Sequence, residues 1–171
     1  MAVEIERKYL VRDIPVSIPV TREGDITQGY LSVHKDRTVR VRVVEGSETE
    51  ADYAAITIKG KTTDDGLSRD EFEYFIPVDE AKQMLTMCMN VIKKTRYTTP
   101  AFVKTVEGKT QPAFWEVDVF HGDNEGLIVA EIELRNVGDM PFIPDWIGQE
   151  VTGQVRYYNS SLSAVPYKNW A

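Results

Sequence analysis

Apolar and polar residues alternate with a period of two through most of this chain, the pattern of strands buried on one face. The alternation predicts strands over residues 2–10, 25–33, 38–44, 54–60, 67–76, 91–99, 113–120 and 127–134. Turn-forming stretches separate them: a two-proline linker over 13–19, a turn at 34–36, a polar turn over 45–52 and a loop over 61–66. A polar hairpin tip with Gly108 spans 104–111, and a turn rich in Gly, Asp and Asn spans 121–126. One segment breaks the period. Over 78–90, Met84, Leu85, Cys88 and Met89 recur at helical spacing behind Asp79 and Glu80, so a helix with a packing stripe is predicted there. Gly29, inside the second strand, marks a bulge or a close approach. Beyond residue 134 the pattern weakens: 140–148 reads as short helix or loop, and 157–162 carries a weak helical signal. No interior linker or repeat divides the chain, so residues 1–171 read as one domain of about eight strands in mostly sequential hairpins.

The same alternation sorts the charges. Glu4, Glu6 and Lys8 share one face of the first strand, with Val3, Ile5, Arg7 and Tyr9 on the other. Later strands repeat the theme with Thr38, Arg40 and Arg42, then Thr57 and Lys59, then Arg69, Glu71 and Glu73. Lys94 and Arg96, Glu116 and Asp118, and Glu131 and Glu133 complete it. The opposite face, with Val41, Ile56, Phe72, Trp115, Val117 and Ile132, is apolar and must be covered. If the sheet stays open, the charged face points at water. If it closes, the charges line a lumen, and an eight-stranded barrel leaves room there for side chains or one small ligand.

Paired carboxylates on one strand repel unless a cation sits between them, and two neighbouring arginines want an anion. Both signs inside a lumen are costly without partners. A polyanion held by Arg and Lys, together with divalent cations held by the carboxylates, would satisfy both. An all-oxygen ligand set favours Mg²⁺ or Mn²⁺ over zinc. His34 and His121 fall in turns and are poor ligand candidates.

Composition narrows the function. A net charge of -7 argues against broad binding to nucleic acid or anionic membrane. The single cysteine, Cys88, excludes an intramolecular disulfide and a multi-cysteine zinc site, and its apolar neighbours mark it as a small buried hydrophobe. No stretch reaches the roughly 20 apolar residues of a membrane span, and the N-terminus has no signal-like apolar core, so a cytoplasmic location is expected. Walker-type and dinucleotide-binding loops are absent, as are Ser-His-Asp and Cys-His arrangements. Trp115 and the Tyr157-Tyr158 pair read first as packing residues, with stacking on a heterocycle as the alternative.

Glu4-Ile5-Glu6-Arg7-Lys8 is the ExExK signature, and an ordered set of further segments follows it: Thr27-Gln28-Gly29-Tyr30-Leu31, Val39-Arg40-Val41-Arg42, Thr57-Ile58-Lys59-Gly60 and Glu71-Phe72-Glu73-Tyr74. Lys94-Thr95-Arg96-Tyr97, Trp115-Glu116-Val117-Asp118-Val119-Phe120, Ala130-Glu131-Ile132-Glu133-Leu134 and Arg156-Tyr157-Tyr158-Asn159 continue it. Over nearly its whole length the chain thus resembles the CYTH superfamily, the triphosphate tunnel metalloenzymes, and looks most like its short bacterial members. The resemblance implies a mainly β fold (α+β), a closed eight-stranded antiparallel β-barrel with helices packed outside. It implies metal-dependent hydrolysis, with Mg²⁺ or Mn²⁺, of a phosphoanhydride bond in inorganic triphosphate or a related triphosphate.

Carried over by position, Glu4, Glu6, Glu116, Asp118, Glu131 and Glu133 resemble the metal set. Lys8, Arg40, Arg42, Lys59, Arg69, Lys94 and Arg96 resemble the phosphate-binding set. Glu4, Glu6, Lys8 and Glu73 are the expected catalytic residues, and the general base is open among Glu4, Glu6, Glu73 and Glu133. The expected partner is a small-molecule triphosphate, with no nucleic acid and no membrane, and the resemblance allows a homodimer. Three alternatives remain within the same tunnel: a class IV-type adenylyl cyclase, a thiamine triphosphatase and a non-catalytic triphosphate-binding module. The His-Phe-containing stretch often found near the signature in class IV cyclases is absent.

Overall fold

The structure, a computed structural model, describes all residues except 1, 2, 16, 35, 47–50, 64–66, 89 and 171, and all of Val3 but its side chain. The expected strand start at residue 2, turn residue Lys35, the middle of the 45–52 turn, the end of the 61–66 loop and Met89 of the helical stripe therefore lie outside the described residues. Eight strands run β1 (Val3–Val11), β2 (Arg22–His34), β3 (Arg37–Gly46), β4 (Tyr53–Lys59), β5 (Ser68–Ile76), β6 (Val91–Lys104), β7 (Thr110–Phe120) and β8 (Ile128–Glu133). They are ordered β1-β5-β4-β3-β2-β6-β7-β8, and β8 pairs back to β1, so the sheet closes into an antiparallel barrel. The open-sheet alternative is thereby excluded.

Closure follows from the pattern of side chains. The outer face is apolar and is covered in two places. Helix α1 (Val78–Leu85) buries Ala81 and packs Met84 and Leu85 against Val41, Val43 and Ala54. On the far side, Tyr9, Val103, Trp115, Val117 and Ile132 form a second cluster against Trp146 and Ile147. Trp115 is 1% exposed and meets Tyr9 and Trp146 edge to face, so it is core and not a stacking platform.

The observed elements depart from the pattern in three places. Strand β6 continues through Pro100, because the even-numbered residues of β6 bond toward β2, and β2 has already ended opposite Thr98. Pro100 therefore lacks an N–H where none is required. The helix stops at Leu85, followed by tight turns in which Thr86, Met87 and Cys88 donate three residues back. Finally, residues 140–148 do not form a helix. Short strands β9 (Met140–Pro141) and β10 (Ile147–Glu150) dock on β6 and on the end of β1, satisfying backbone groups there. Gly29 is a close approach: a Cβ there would lie 2.7 Å from Cys88 Cβ and 2.8 Å from its Sγ. The β2 irregularity itself lies between Tyr30 and Ser32.

Antiparallel pairing gives the barrel two distinct ends. The β6–β7 hairpin projects from one. The β2–β3, β4–β5 and β7–β8 connections and the C-terminal segment gather at the other, where helix α2 (Asn159–Ala164) lies. Leu162 of α2, fully buried, packs on Ile92, Phe120, Leu127 and Val129 with Leu10 beside them. By strand parity Leu10, Ile92, Phe120 and Val129 point inward, so an apolar layer fills the β1, β6, β7 and β8 side of this end of the lumen.

Candidate functional site

Above that apolar layer the inward positions are nearly all charged, as alternation requires. They enclose a cavity of about 250 Å³. Its wall includes Glu4, Glu6, Lys8, Arg40, Arg42 and Lys59, and around them Arg69, Glu71, Glu73, Arg96, Glu116, Glu131 and Glu133. Of the residues expected at the site, Lys94 and Asp118 do not line it. They lie beneath the wall, 2% and 1% exposed, with Lys94 Nζ donating to Asp118 Oδ2 at 2.5 Å. Burial dominates for Lys94 and brings its ammonium down to about 8 against the pull of Asp118. Burial would raise Asp118, yet Arg96 and Lys94 hold it below the usual carboxylate range.

Strand register explains the ion pairing. Glu4 lies opposite Arg69, Lys59 opposite Glu71, Lys8 opposite Glu131, and Arg96 opposite Asp118. Lys59 Nζ donates to both Glu4 oxygens at 2.8 and 2.9 Å, and Arg69 Nε to Glu4 Oε2 at 2.9 Å. Burial would raise Glu4, but Lys59 and Arg69 override it and bring the carboxyl down to about 2. Lys8 Nζ sits 2.8 Å from Glu131. Burial works against that ammonium, but Glu131 and Glu6 keep it firmly protonated. Arg96 donates to both Asp118 oxygens at 2.7 and 2.8 Å, to Glu131 Oε2 at 3.2 Å, and to Glu116. Arg42 Nη2 donates to Glu73 Oε2 at 3.1 Å. Thr57 Oγ1 donates to the same oxygen at 2.9 Å and accepts from Arg40 Nη2 at 3.0 Å.

Two features of this network are unfinished. The register sets two acids opposite acids: Glu116 against Glu131, and Glu6 against Glu133. Like charges directly opposite repel. Arg96 bridges the first pair. The second has no such bridge among the described residues: the nearest cationic atoms to Glu6 are Arg69 Nη2 at 3.9 Å and Lys8 Nζ at 4.0 Å. Burial, then Glu131, pushes the Glu6 carboxyl up to about 7. Burial, then Glu4 and Glu116, also raises Glu133. The other unfinished feature is the pair of buried Nε donors of Arg40 and Arg42, which have no hydrogen-bond partner among the described residues. Two arginines with an unsatisfied Nε–H and an acidic pair with no cation bridging it, among the described residues, share one wall, so a group offering anionic oxygens together with a divalent cation fits the residues present. Among the described residues, no three Asp, Glu, His or Cys side chains are drawn together as a metal cluster by themselves.

Tyr30, Thr38, Tyr158, Asn159 and Ser160 also line the cavity. Thr38 shares the polar face of β3 with Arg40. Tyr30 carries no charge to mark it, and only its parity with Gln28 could have found it. Tyr158, Asn159 and Ser160 come from the C-terminal segment, where no alternation exists to read. The two tyrosines divide: Tyr157 packs edge to face on Trp170, whereas Tyr158 faces the cavity with Lys8 Nζ 5.6 Å from its ring centre.

Comparison with known proteins agrees with this geometry. The CYTH domain family matches residues 2–164. An inorganic triphosphatase of Acetivibrio thermocellus is 44% identical over 172 residues, covering 99% of each chain. An inorganic triphosphatase of Nitrosomonas europaea is 32% identical, covering 94% of this chain and 96% of its own. Among solved structures, the inorganic triphosphatase NE1496 superposes with a TM-score of 0.60 at 27% identity over 95% of both chains. The PH1819 protein of Pyrococcus horikoshii, at 18% identity, shares the fold with a TM-score of 0.57 over 78% of both chains. The closed barrel, the inward charges and the family match converge: the chain belongs to the CYTH family, the triphosphate tunnel metalloenzymes.

Proposed function

We propose that this protein hydrolyses inorganic triphosphate to pyrophosphate and orthophosphate with Mg²⁺ or Mn²⁺. The observation that carries the reading is that one 250 Å³ cavity is walled both by Arg40 and Arg42 and by the facing Glu6–Glu133 pair, which no cation bridges among the described residues. The names of the two curated relatives support the choice of substrate.

In this reading Arg40, Arg42, Lys59 and Arg69 bind and neutralise the phosphate oxygens, with Lys8 and Arg96 completing the wall. Their existing carboxylate partners keep these side chains extended into the lumen before substrate arrives, which lowers the reorganisation needed on binding. Glu6 and Glu133 would hold the cation, with Glu4, Glu116 and Glu131 within the same wall. Once bound, it would offset developing charge and orient the attacking water. Lys94 and Asp118 act beneath the wall by fixing Arg96. Glu4, held down to about 2, is a weak proton acceptor, and Glu73 is engaged by Arg42 and Thr57. In the metal-free wall Glu6 and Glu133 are thus the raised carboxyls of the four candidate bases, and whichever holds the cation would give up basicity to it.

A phosphate-release panel tests the reading. Inorganic triphosphate, pyrophosphate, ATP and thiamine triphosphate are each incubated with Mg²⁺ and with Mn²⁺. Fastest release from inorganic triphosphate is expected. Cyclic AMP and pyrophosphate from ATP would replace the hydrolase by a cyclase, preferred thiamine triphosphate would change the substrate, and tight binding without turnover would leave only a binding module.

A further inference from the structure

A second cavity, of about 660 Å³, adjoins the lumen at the end where α2 lies. Thr38, Arg69, Tyr158 and Ser160 line both spaces, so the two are neighbours that meet at these side chains. This cavity differs from the lumen in one respect. Its cationic wall residues are Arg37, Lys61 and Arg69, with His34 beside them, and none of the described wall residues is a carboxylate. Asp36 stands 3.6 Å from His34 but is not on the wall. Arg37 and Lys61 have no ion-pair partner among the described residues. At the opposite end of the barrel, Glu23, Glu116, Glu133 and Asp139 stand among the bases of the cavity walls. The chain as a whole carries -7, so a purely basic mouth is against its general character.

We propose that this cavity is the capture mouth for the anionic substrate, with Arg37 and Lys61 as steering residues that act before the lumen is reached. The proposal rests on the triphosphate reading and extends it by assigning a direction of entry. A basic funnel with low-dielectric walls raises the local concentration of a polyanion and its rate of encounter, and salt screens the effect. A polyanion approaching from the other end meets a wall of mixed sign, with Glu23, Glu116, Glu133 and Asp139 among Arg22, Arg42, Arg96 and Arg135. Hydroxyls of Thr38, Thr62 and Ser160 supply neutral donors along the path.

The test compares Arg37→Glu/Lys61→Glu with Lys104→Glu/Lys109→Glu, which makes the same charge change at exposed sites on the β6–β7 hairpin, at the opposite end of the barrel. Wild-type turnover of inorganic triphosphate with Mg²⁺ is measured first. The mouth variant is expected to lose about tenfold in kcat/KM at low ionic strength. The loss should fall on KM, shrink as salt is added, and leave the melting temperature unchanged, while the control stays near wild type. Equal behaviour of the two variants, or a fall in kcat at constant KM, overturns the proposal. If the wild type shows no turnover, the hydrolase reading fails by itself. The association rate of Mg²⁺-triphosphate, followed by intrinsic fluorescence, then decides the mouth on the same two variants, slower association in the mouth variant alone supporting it and equal rates overturning it.

Discussion

Glu4 and Glu6 stand two residues apart on β1, and the strands beside them put them in opposite states. Glu4 meets Lys59 and Arg69, which overcome its burial and hold it down to about 2, whereas burial and then Glu131 push Glu6 up to about 7. The two therefore respond differently to substitution. Glu6→Gln is expected to lower phosphate release at least about 100-fold. It should leave the metal-free melting temperature unchanged or higher, since a neutral amide relieves the crowding. Glu4→Gln should lose both activity and stability, because it leaves two buried cations under-paired.

The pH dependence follows with a definite sign. In the metal-free protein the raised Glu6 carboxyl binds its proton more tightly in the folded state than its ordinary value of 4.5 allows. Its contribution to stability is full below 4.5 and is lost as pH rises through 7, by up to about 3 kcal/mol. Glu4 contributes the reverse, present above 4.5 and lost as pH falls toward 2. Melting curves of wild type and Glu6→Gln between pH 5 and 8.5 in chelator should converge at the acid end and separate at the alkaline end, with the variant higher. Parallel curves would contradict this assignment.

At the scale of elements, the barrel strands were legible because a lumen imposes strict alternation, and the charged side chains recorded it on strand after strand. Legibility failed where tertiary contact overrides local pattern. Pro100 reads as a stop, yet β6 passes through it because its N–H side faces a gap. The 140–148 segment has no period because β9 and β10 borrow their partners from β6 and β1. Tyr158 was ambiguous for the same reason: its neighbour Tyr157 is identical, and only the path of the chain sends one to Trp170 and the other to the cavity. The α1–β2 contact offers a test. Gly29→Ala should destabilise by about 1–3 kcal/mol through collision with Cys88, and Cys88→Gly should recover part of that loss in denaturant melts. Leu162→Ala should cost about 2–5 kcal/mol by opening the apolar layer under α2. No rescue of Gly29→Ala by Cys88→Gly would place the strain elsewhere.

For the whole molecule, the fold turns the usual arrangement inside out. The apolar faces of the strands look outward to α1 and to the Trp146 segment, and the charged faces look inward. Such a charge-lined interior persists because most acids and bases pair across strands, and it is left incomplete at Glu6–Glu133 and at the Nε atoms of Arg40 and Arg42. We propose that a divalent cation and a triphosphate complete it. The most direct measurement is product release from inorganic triphosphate alone, by wild type and Glu6→Gln side by side, with Mg²⁺ or Mn²⁺ and again with chelator. The wild type is expected to release equal amounts of pyrophosphate and orthophosphate, dependent on the cation and nearly abolished in the variant. Release that persists in chelator, or that survives unchanged in Glu6→Gln, would contradict it.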